Sequence, residues 1–220
     1  VQEKTAIGFF LSGHLFDEHE TEIRRFARTR LDDLSDSRDT VVLAGIVSDF
    51  RVINGRSGKL ALFKLDDKST VYEVSADEQV WGQQPSLLKD DALIIVQAVT
   101  RFDRFSGNLR LNLEQIWDLP AARVRFGKYL LASVQLSADA AGPDLQRVLR
   151  EHPAKREILD TGDEIVRGLP VRLQVQQYYP DEQVQGMLKL GDAARFYPSD
   201  AALAGWMALL PRGDVRVVYE

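Results

Sequence analysis

Apolar and polar positions alternate with a period of two over the middle of the chain, follow a period near 3.6 before it, and mix the two periods after it. Between residues 40 and 119 the runs are "TVVLAGIVSDFRVI", "KLALFKLDD", "STVYEV", "ALIIVQAVTRF" and "NLRLNLEQIWDL". β-Branched and aromatic residues alternating with polar ones predict five strands. Gly45 predicts a bulge or bend in the first. "NGRSG" (54–58) predicts the turn after it. "DEQVWGQQPSLLKDD" (77–91) breaks the alternation and predicts a short helix, interrupted at Pro85. Five strands with a helix between the third and fourth is the order of an OB-fold, a small Greek-key barrel.

The flanking stretches differ. Residues 2–30 predict helix: Ile7, Phe10 and Leu11 share one face, Gly13 ends a first segment, and "FDEHETEIRRFARTR" places acids early and arginines late, as the helix dipole favours. "LDDLSDSRD" reads as a polar linker with a small apolar step at Leu31 and Leu34. After residue 120, "KYLLASVQLS" predicts a strand and "GPDLQRVLREH" a capped helix. "LPVRLQVQQYY", "QVQGMLKLG" and the short "ARFYPS" predict strands, "PSDAALAGWMALL" a second helix, and "DVRVVYE" a last strand. The expected organisation is α+β: a helical segment and linker (1–39), a five-stranded OB-fold barrel (40–120), and a small β-α-β-β-β-α-β domain (121–220).

Composition narrows what such a chain can do. With 220 residues, 45% of them hydrophobic, it can bury a core and is not expected to be disordered. No apolar run approaches a bilayer span, and no secretory leader opens it, so no membrane partner is expected. The absence of cysteine excludes disulfides and thiolate metal sites and fits the cytoplasm. The chain starts at Val1, within a helical pattern, and reads as a piece of something longer. The net charge of −5 disfavours broad nucleic-acid binding. By segment, 1–39 carries 6 basic against 9 acidic residues, 40–120 carries 9 against 11, and 121–220 carries 13 of each, so a nucleic-acid contact has to be a local patch.

Such a patch is visible at "RFDRFSGNLR", where Arg101, Phe102, Arg104, Phe105 and Arg110 crowd one turn. The turn joins the fourth and fifth strands, and with the turn between the first two it flanks the ligand groove of an OB-fold. Cations tracking phosphates and aromatics stacking on bases are the two components of single-strand binding. The candidate DNA-binding set is Arg51, Arg56, Lys59, Phe63, Lys64, Arg101, Phe102, Arg104, Phe105 and Arg110. Other constellations carry no chemistry. His14 and His19 lack a third ligand, and His152 sits at a helix end. Asp66 and Asp67, neighbours on a strand, point to opposite faces and read as a turn rather than a catalytic pair. "QPSLL" (84–88) has the look of a clamp-binding peptide but reads as core packing. No catalytic residue, metal site or cofactor is expected.

Three blocks together resemble the alpha-subunit family of bacterial DNA polymerase III. "EKTAIGFFLSGHLFDEHETEIRRF" is similar to the segment before that family's OB-fold, with Leu15 in place of a proline. "GIVSDFRVINGRSGKLALFKLDDKSTVYEV" and "LLKDDALIIVQAVTRFDRFSGNLRLNLEQIWDL" resemble the OB-fold itself, and the stretch ending "RFYPSDAALAGWMALLPRGDVRVVYE" resembles the C-terminal domain. The resemblance implies a parent replicative polymerase whose catalytic domains and main sliding-clamp peptide lie upstream. It implies an OB-fold that holds single-stranded template and a C-terminal domain that binds the clamp-loader tau subunit. For the tau contact the candidates are Trp206, Met207, Val217 and Tyr219, on a helix apolar around most of its circumference and on a chain-terminal strand that forms a sheet edge. Two alternatives are an anticodon-binding OB-fold of a tRNA synthetase and an OB scaffold that binds protein only.

Overall fold

The apolar runs of the middle stretch close on themselves. In the computed structural model, which describes residues 15–36, 39–55, 58–103, 107–136, 144–178, 183–210 and 213–219, they form β1 (Thr40–Gly55), β2 (Gly58–Asp66), β3 (Val71–Asp77), β4 (Leu93–Asp103) and β5 (Asn108–Trp117). These make a closed barrel in the order β1-β2-β3-β5-β4. Neighbours are antiparallel except β3 and β5, which are parallel. A short helix α2 (Glu78–Trp81) and a 3-10 turn (Pro85–Leu87) lie between β3 and β4, as an OB-fold requires. The inward set is one phase of each strand: Ala61, Phe63 and Leu65 on β2, Val74 and Ala76 on β3, Val96 and Ala98 on β4, Leu111 and Leu113 on β5. Gly45 is dictated by closure, since a Cβ there would sit 2.8 Å from the Asp66 carbonyl oxygen of the paired strand. "QPSLL" packs as expected: Leu88 is buried in the barrel core and Leu87 lies against it.

The chain divides into two compact units, Val1–Leu119 and Pro120–Glu220. In the first, helix α1 covers 15–23 and then tightens. The Arg25 N–H donates to the Glu22 carbonyl and Phe26 N–H to that of Ile23, three-residue bonds that end an α-helix. The helix therefore stops short of the expected Arg30. Its proposed earlier part, with Gly13 and His14, lies outside the described residues. The polar linker is likewise corrected. Leu31 is fully buried in the barrel core, the Ser35 carbonyl accepts from Thr100 Oγ1 at 2.9 Å, and Asp36 Oδ1 accepts from the Phe102 N–H at 3.3 Å. The anchor for this crossing is Asp67. Its carboxylate is 1% exposed and accepts from Leu31 N–H at 3.0 Å, Arg24 Nη2 at 3.1 Å, Ser69 N–H at 3.1 Å and the Ser69 hydroxyl.

Helix α3 (Leu119–Phe126), which no local signal marked, leads to the second sheet. Its strands are β6 (Tyr129–Leu136), β9 (Val171–Tyr178), β10 (Gln183–Lys189) and β11 (Val215–Val218), ordered β10-β9-β6-β11 with β6 and β9 parallel. Helices α4 (Leu145–Glu151) and α5 (Asp200–Leu209) start on side-chain caps. The Asp144 carboxylate accepts from Arg147 N–H, and Ser199 Oγ from Ala202 N–H. The expected pattern needs two corrections. "ARFYPS" is not a strand: Phe196 makes only isolated bridges to Pro153 and Leu169, where its ring is buried in the core. A hairpin of β7 (Lys155–Ile158) and β8 (Glu164–Arg167) stands where a loop was expected, crossed by the pairs Arg156–Glu164 at 2.9 Å and Arg167–Glu157 at 2.5 Å. The order is thus β-α-β-β-β-β-α-β. Among the described residues no helix is long and apolar enough to cross a membrane.

Candidate nucleic-acid interface

Strand parity decides which side chains the barrel offers to a ligand. Because Ala61, Phe63 and Leu65 fill the interior, Leu60, Leu62, Lys64 and Asp66 face outward on β2. The register carries that face to both neighbours. Lys64 stands opposite Glu73 of β3, and Leu62 lies between Arg51 of β1 and Ser75 of β3. Ser75 Oγ reaches Asn112 Oδ1 of β5 at 3.2 Å. Two residues earlier on β5, and so on the same face, Arg110 stands opposite Arg101 of β4 across the ladder. Arg51, Lys64, Arg101 and Arg110 are exposed and share the outer face with the acids Asp49, Asp66, Glu73 and Glu114. Asp49, Arg51, Leu62, Lys64 and Glu73 line a shallow depression there.

Several sequence candidates are relocated. Phe63 is 2% exposed and belongs to the barrel core, so it stacks on no base. Phe102 is half exposed, but its partner across the ladder is Leu109, so it has the phase opposite to Arg101 and lies at the barrel's end rather than among the cations. Lys59 is exposed at the start of β2, where its backbone N–H donates to Glu78 Oε2 at 3.3 Å. Arg56, Arg104 and Phe105 lie outside the described residues. Asp49 and Glu73 were missed. Parity alone would have found Glu73, since it alternates with the apolar Val74 and Ala76.

Electrostatics pairs part of this face internally. Lys64 Nζ lies 2.6 Å from Asp49 Oδ2. That hydrogen bond and its charge hold the Asp49 carboxyl below, and the Lys64 ammonium above, their ordinary ranges, so both are charged at neutral pH. Asp66 and Asp67 form no carboxylate pair, because Asp67 is turned inward to Arg24 and Leu31. Among the described residues no group of three or more His, Asp or Glu side chains converges as a metal site.

The tau candidates divide in the same way. Trp206 is fully buried and Val217 is 6% exposed, both in the core of the second unit, while Tyr219 packs half-buried against it. Trp206 and Val217 are corrected from contact residues to packing residues, while Tyr219 keeps part of its side chain in water. Met207, one position on from Trp206, is 52% exposed. The sheet edge at β11 is as expected, but its alternate residues point into the core. The opposite edge strand, β10, is exposed along its whole length, with Val184, Met187 and Leu188 each at least half in water.

Comparison with known proteins gives long, continuous matches to one family. The chain is 34% identical to DNA polymerase III subunit alpha of Pseudomonas aeruginosa over 220 residues and 31% identical to that of Pseudomonas fluorescens over 223. It is 26% identical to that of Escherichia coli K12 over 222 residues. Each match takes in 99% of this chain but only 17–18% of the relative, so the chain spans about a sixth of the subunits it resembles. No family model matches. Among solved structures, the OB domain of Ta0387 from Thermoplasma acidophilum aligns with 41% of this chain at a TM-score of 0.33 and 16% identity. RecG bound to a three-way DNA junction aligns with 40% at 0.34 and 11%. At those scores the barrel's own strand order, not the likeness, carries the fold.

Proposed function

Since this chain is homologous to a C-terminal part of DNA polymerase III subunit alpha, we propose that its barrel holds single-stranded template DNA on the outer face of β1, β2, β3, β5 and β4. The nucleotidyl-transfer chemistry then belongs to the remainder of the parent subunit. The observation that supports the reading is the Arg101–Arg110 pair. Two guanidinium groups side by side across a ladder present donors that one backbone phosphate can accept from, as charge-assisted hydrogen bonds. Arg51 and Lys64 extend the cationic positions to the other side of the same face. Bases splayed along such a face have the outward Leu62 as an apolar neighbour, whereas duplex DNA keeps its bases stacked away from it.

The test is a titration with oligothymidylate at several salt concentrations. With about three or four phosphates neutralised, log affinity should fall against log salt with a slope of roughly −2 to −3, at ~0.7 per phosphate. Replacing Arg101 and Arg110 together by glutamine should flatten that slope by about 1.4. An unchanged slope in the double variant would place the site elsewhere. A protein-only OB scaffold would show no salt-dependent binding at all.

We propose further that the second unit carries the contact with the clamp-loader tau subunit. What supports this beyond the family resemblance is exposed apolar surface: Met207 on α5 and Val184, Met187 and Leu188 on β10. Met207→Glu and Leu188→Glu both alter exposed positions and should leave the melting transition within a few degrees of wild type. Together they should weaken tau capture at least tenfold. Full capture by the doubly substituted chain would remove both positions from consideration. The sliding clamp is assigned to the part of the parent subunit upstream of this chain.

A further inference from the structure

One cation of the outer face, Lys64, is already held by a carboxylate, Asp49, which sits at a bulge of β1. β1 and β2 run in register to Ser48 opposite Lys64 and resume at Arg51 opposite Leu62, so that Asp49 and Phe50 together oppose Phe63. At this bulge Asp49 has φ 55, in the left-handed region where glycine is the low-cost residue. Phe50 packs against the barrel core, and its N–H donates to Asp90 Oδ1 at 3.0 Å. The next residue, Asp91, donates its N–H to the Val47 carbonyl at 2.9 Å and so grips β1 on the other side of the bulge. The bulge is therefore held by the loop before β4, not by the Asp49 side chain. Closure of the barrel calls for no carboxylate at position 49, and a glycine would carry less strain. What the Asp49 side chain does is reach Lys64 at 2.6 Å, with both groups about half exposed.

A phosphate oxygen and a carboxylate oxygen are equivalent acceptors for an ammonium group. We propose that Asp49 is an internal competitor of the DNA phosphate for Lys64. It neutralises and positions the β2 cation in the empty groove, and gives it up when a backbone phosphate arrives. This rests on the reading of the outer face as a single-strand site and assigns that site its affinity-setting residue. Lys64 then adds no net charge to the empty face, so the grip on template is weak and readily exchanged. The released carboxylate returns to water, which is open to it at its present exposure.

The experiment uses the whole chain and oligothymidylate, read by fluorescence anisotropy across a salt series. Asp49→Asn tolerates the left-handed backbone and removes the charge. It should bind about two- to fivefold more tightly, the range of an exposed ion pair, with a slope steeper by about 0.7. Asp49→Gly, which also relieves the backbone, should give the same gain. In a Lys64→Met background the gain from Asp49→Asn should shrink below twofold and the slope should not steepen. An equal gain in both backgrounds would overturn competition in favour of plain repulsion of DNA by Asp49. No gain from Asp49→Asn, while Arg101→Gln with Arg110→Gln still weakens binding, would overturn the proposal and leave the binding face standing. If neither set of variants changes the titration, the binding face is wrong and the proposal falls with it.

Discussion

Asp67→Ala is expected to unfold the first unit under conditions where the second stays folded. The carboxylate is buried and collects donors from residues far apart in sequence: Arg24 from the end of α1, Leu31 from the crossing segment, and Ser69 from the turn after β2. Removing it leaves a buried N–H at Leu31 without its acceptor and a largely buried guanidinium with only the longer contact to Glu20, at 3.7 Å, as counter-charge. Loss of one partner from a fully buried pair costs about 3–5 kcal/mol. Arg24 keeps 20% of its side chain in water, so we expect about 2–4 kcal/mol, a large share of the ~5–15 kcal/mol that holds a domain. The pH dependence follows. Burial pushes the Asp67 carboxyl up, but the hydrogen bonds from the Ser69 hydroxyl, Leu31 N–H and Arg24 outweigh it and hold the group below the ordinary carboxylate range. A folded-state pKa below the unfolded one means the stabilisation is complete above the ordinary Asp value and is lost as pH falls through the depressed one. Urea unfolding followed through Trp81 and Trp117 should show wild type losing stability over that acidic window. Asp67→Ala should lack that component of the loss. A variant as stable as wild type at pH 7 would show that Leu31 and Arg24 find other partners.

The sequence made the barrel readable for a physical reason and hid its ligand face for another. Strand content comes from local runs of β-branched residues, and the helix at 78–81 from a break in them, so five strands and their order were legible. Facing comes from parity, which a bulge resets. On β2, Leu60 and Leu62 are apolar in one phase and Ala61, Phe63 and Leu65 in the other. The run alone does not say which phase is inside, and Phe63 was placed on the wrong side. The extra residue at Asp49–Phe50 then shifts the phase of β1, so counting across from its first half fails. Adjacency misled in the same way at Arg101 and Phe102, neighbours in sequence with opposite phase in a strand. The crossing segment 31–36 was illegible because its partners, Asp67 and Thr100, lie more than thirty residues away. The β7–β8 hairpin was hidden because both its faces are wet: all of β7 and three of the four β8 residues are exposed, and cross-strand ion pairs take the place of an apolar period.

Trp206→Ala is expected to unfold the second unit, and that expectation bears on how any partner assay is read. The indole is fully buried, meets the Phe196 ring edge-on at 5.9 Å between centroids, and sits in one core with Leu130, Val171, Leu173 and Val217. Its Nε1 has no hydrogen-bond partner, so the group acts here as an apolar body. Truncating a buried Trp to Ala costs about 3–5 kcal/mol. At ~4–8 °C per kcal/mol for a domain of about a hundred residues, the transition should fall by well over 10 °C. Trp206→Phe keeps most of the volume and should recover much of that loss. The same logic removes the terminal strand as a simple probe, because deleting residues 213–220 takes Val215 and Val217 out of the core. Loss of tau capture in either variant would then report unfolding, whereas loss in Met207→Glu would report contact. The discriminating measurement is near-UV circular dichroism beside the capture assay. Trp206→Ala should lose its tertiary signal and tau together, with the salt slope of DNA binding unchanged. A Trp206→Ala chain that keeps its melting temperature but releases tau would return Trp206 to the partner surface.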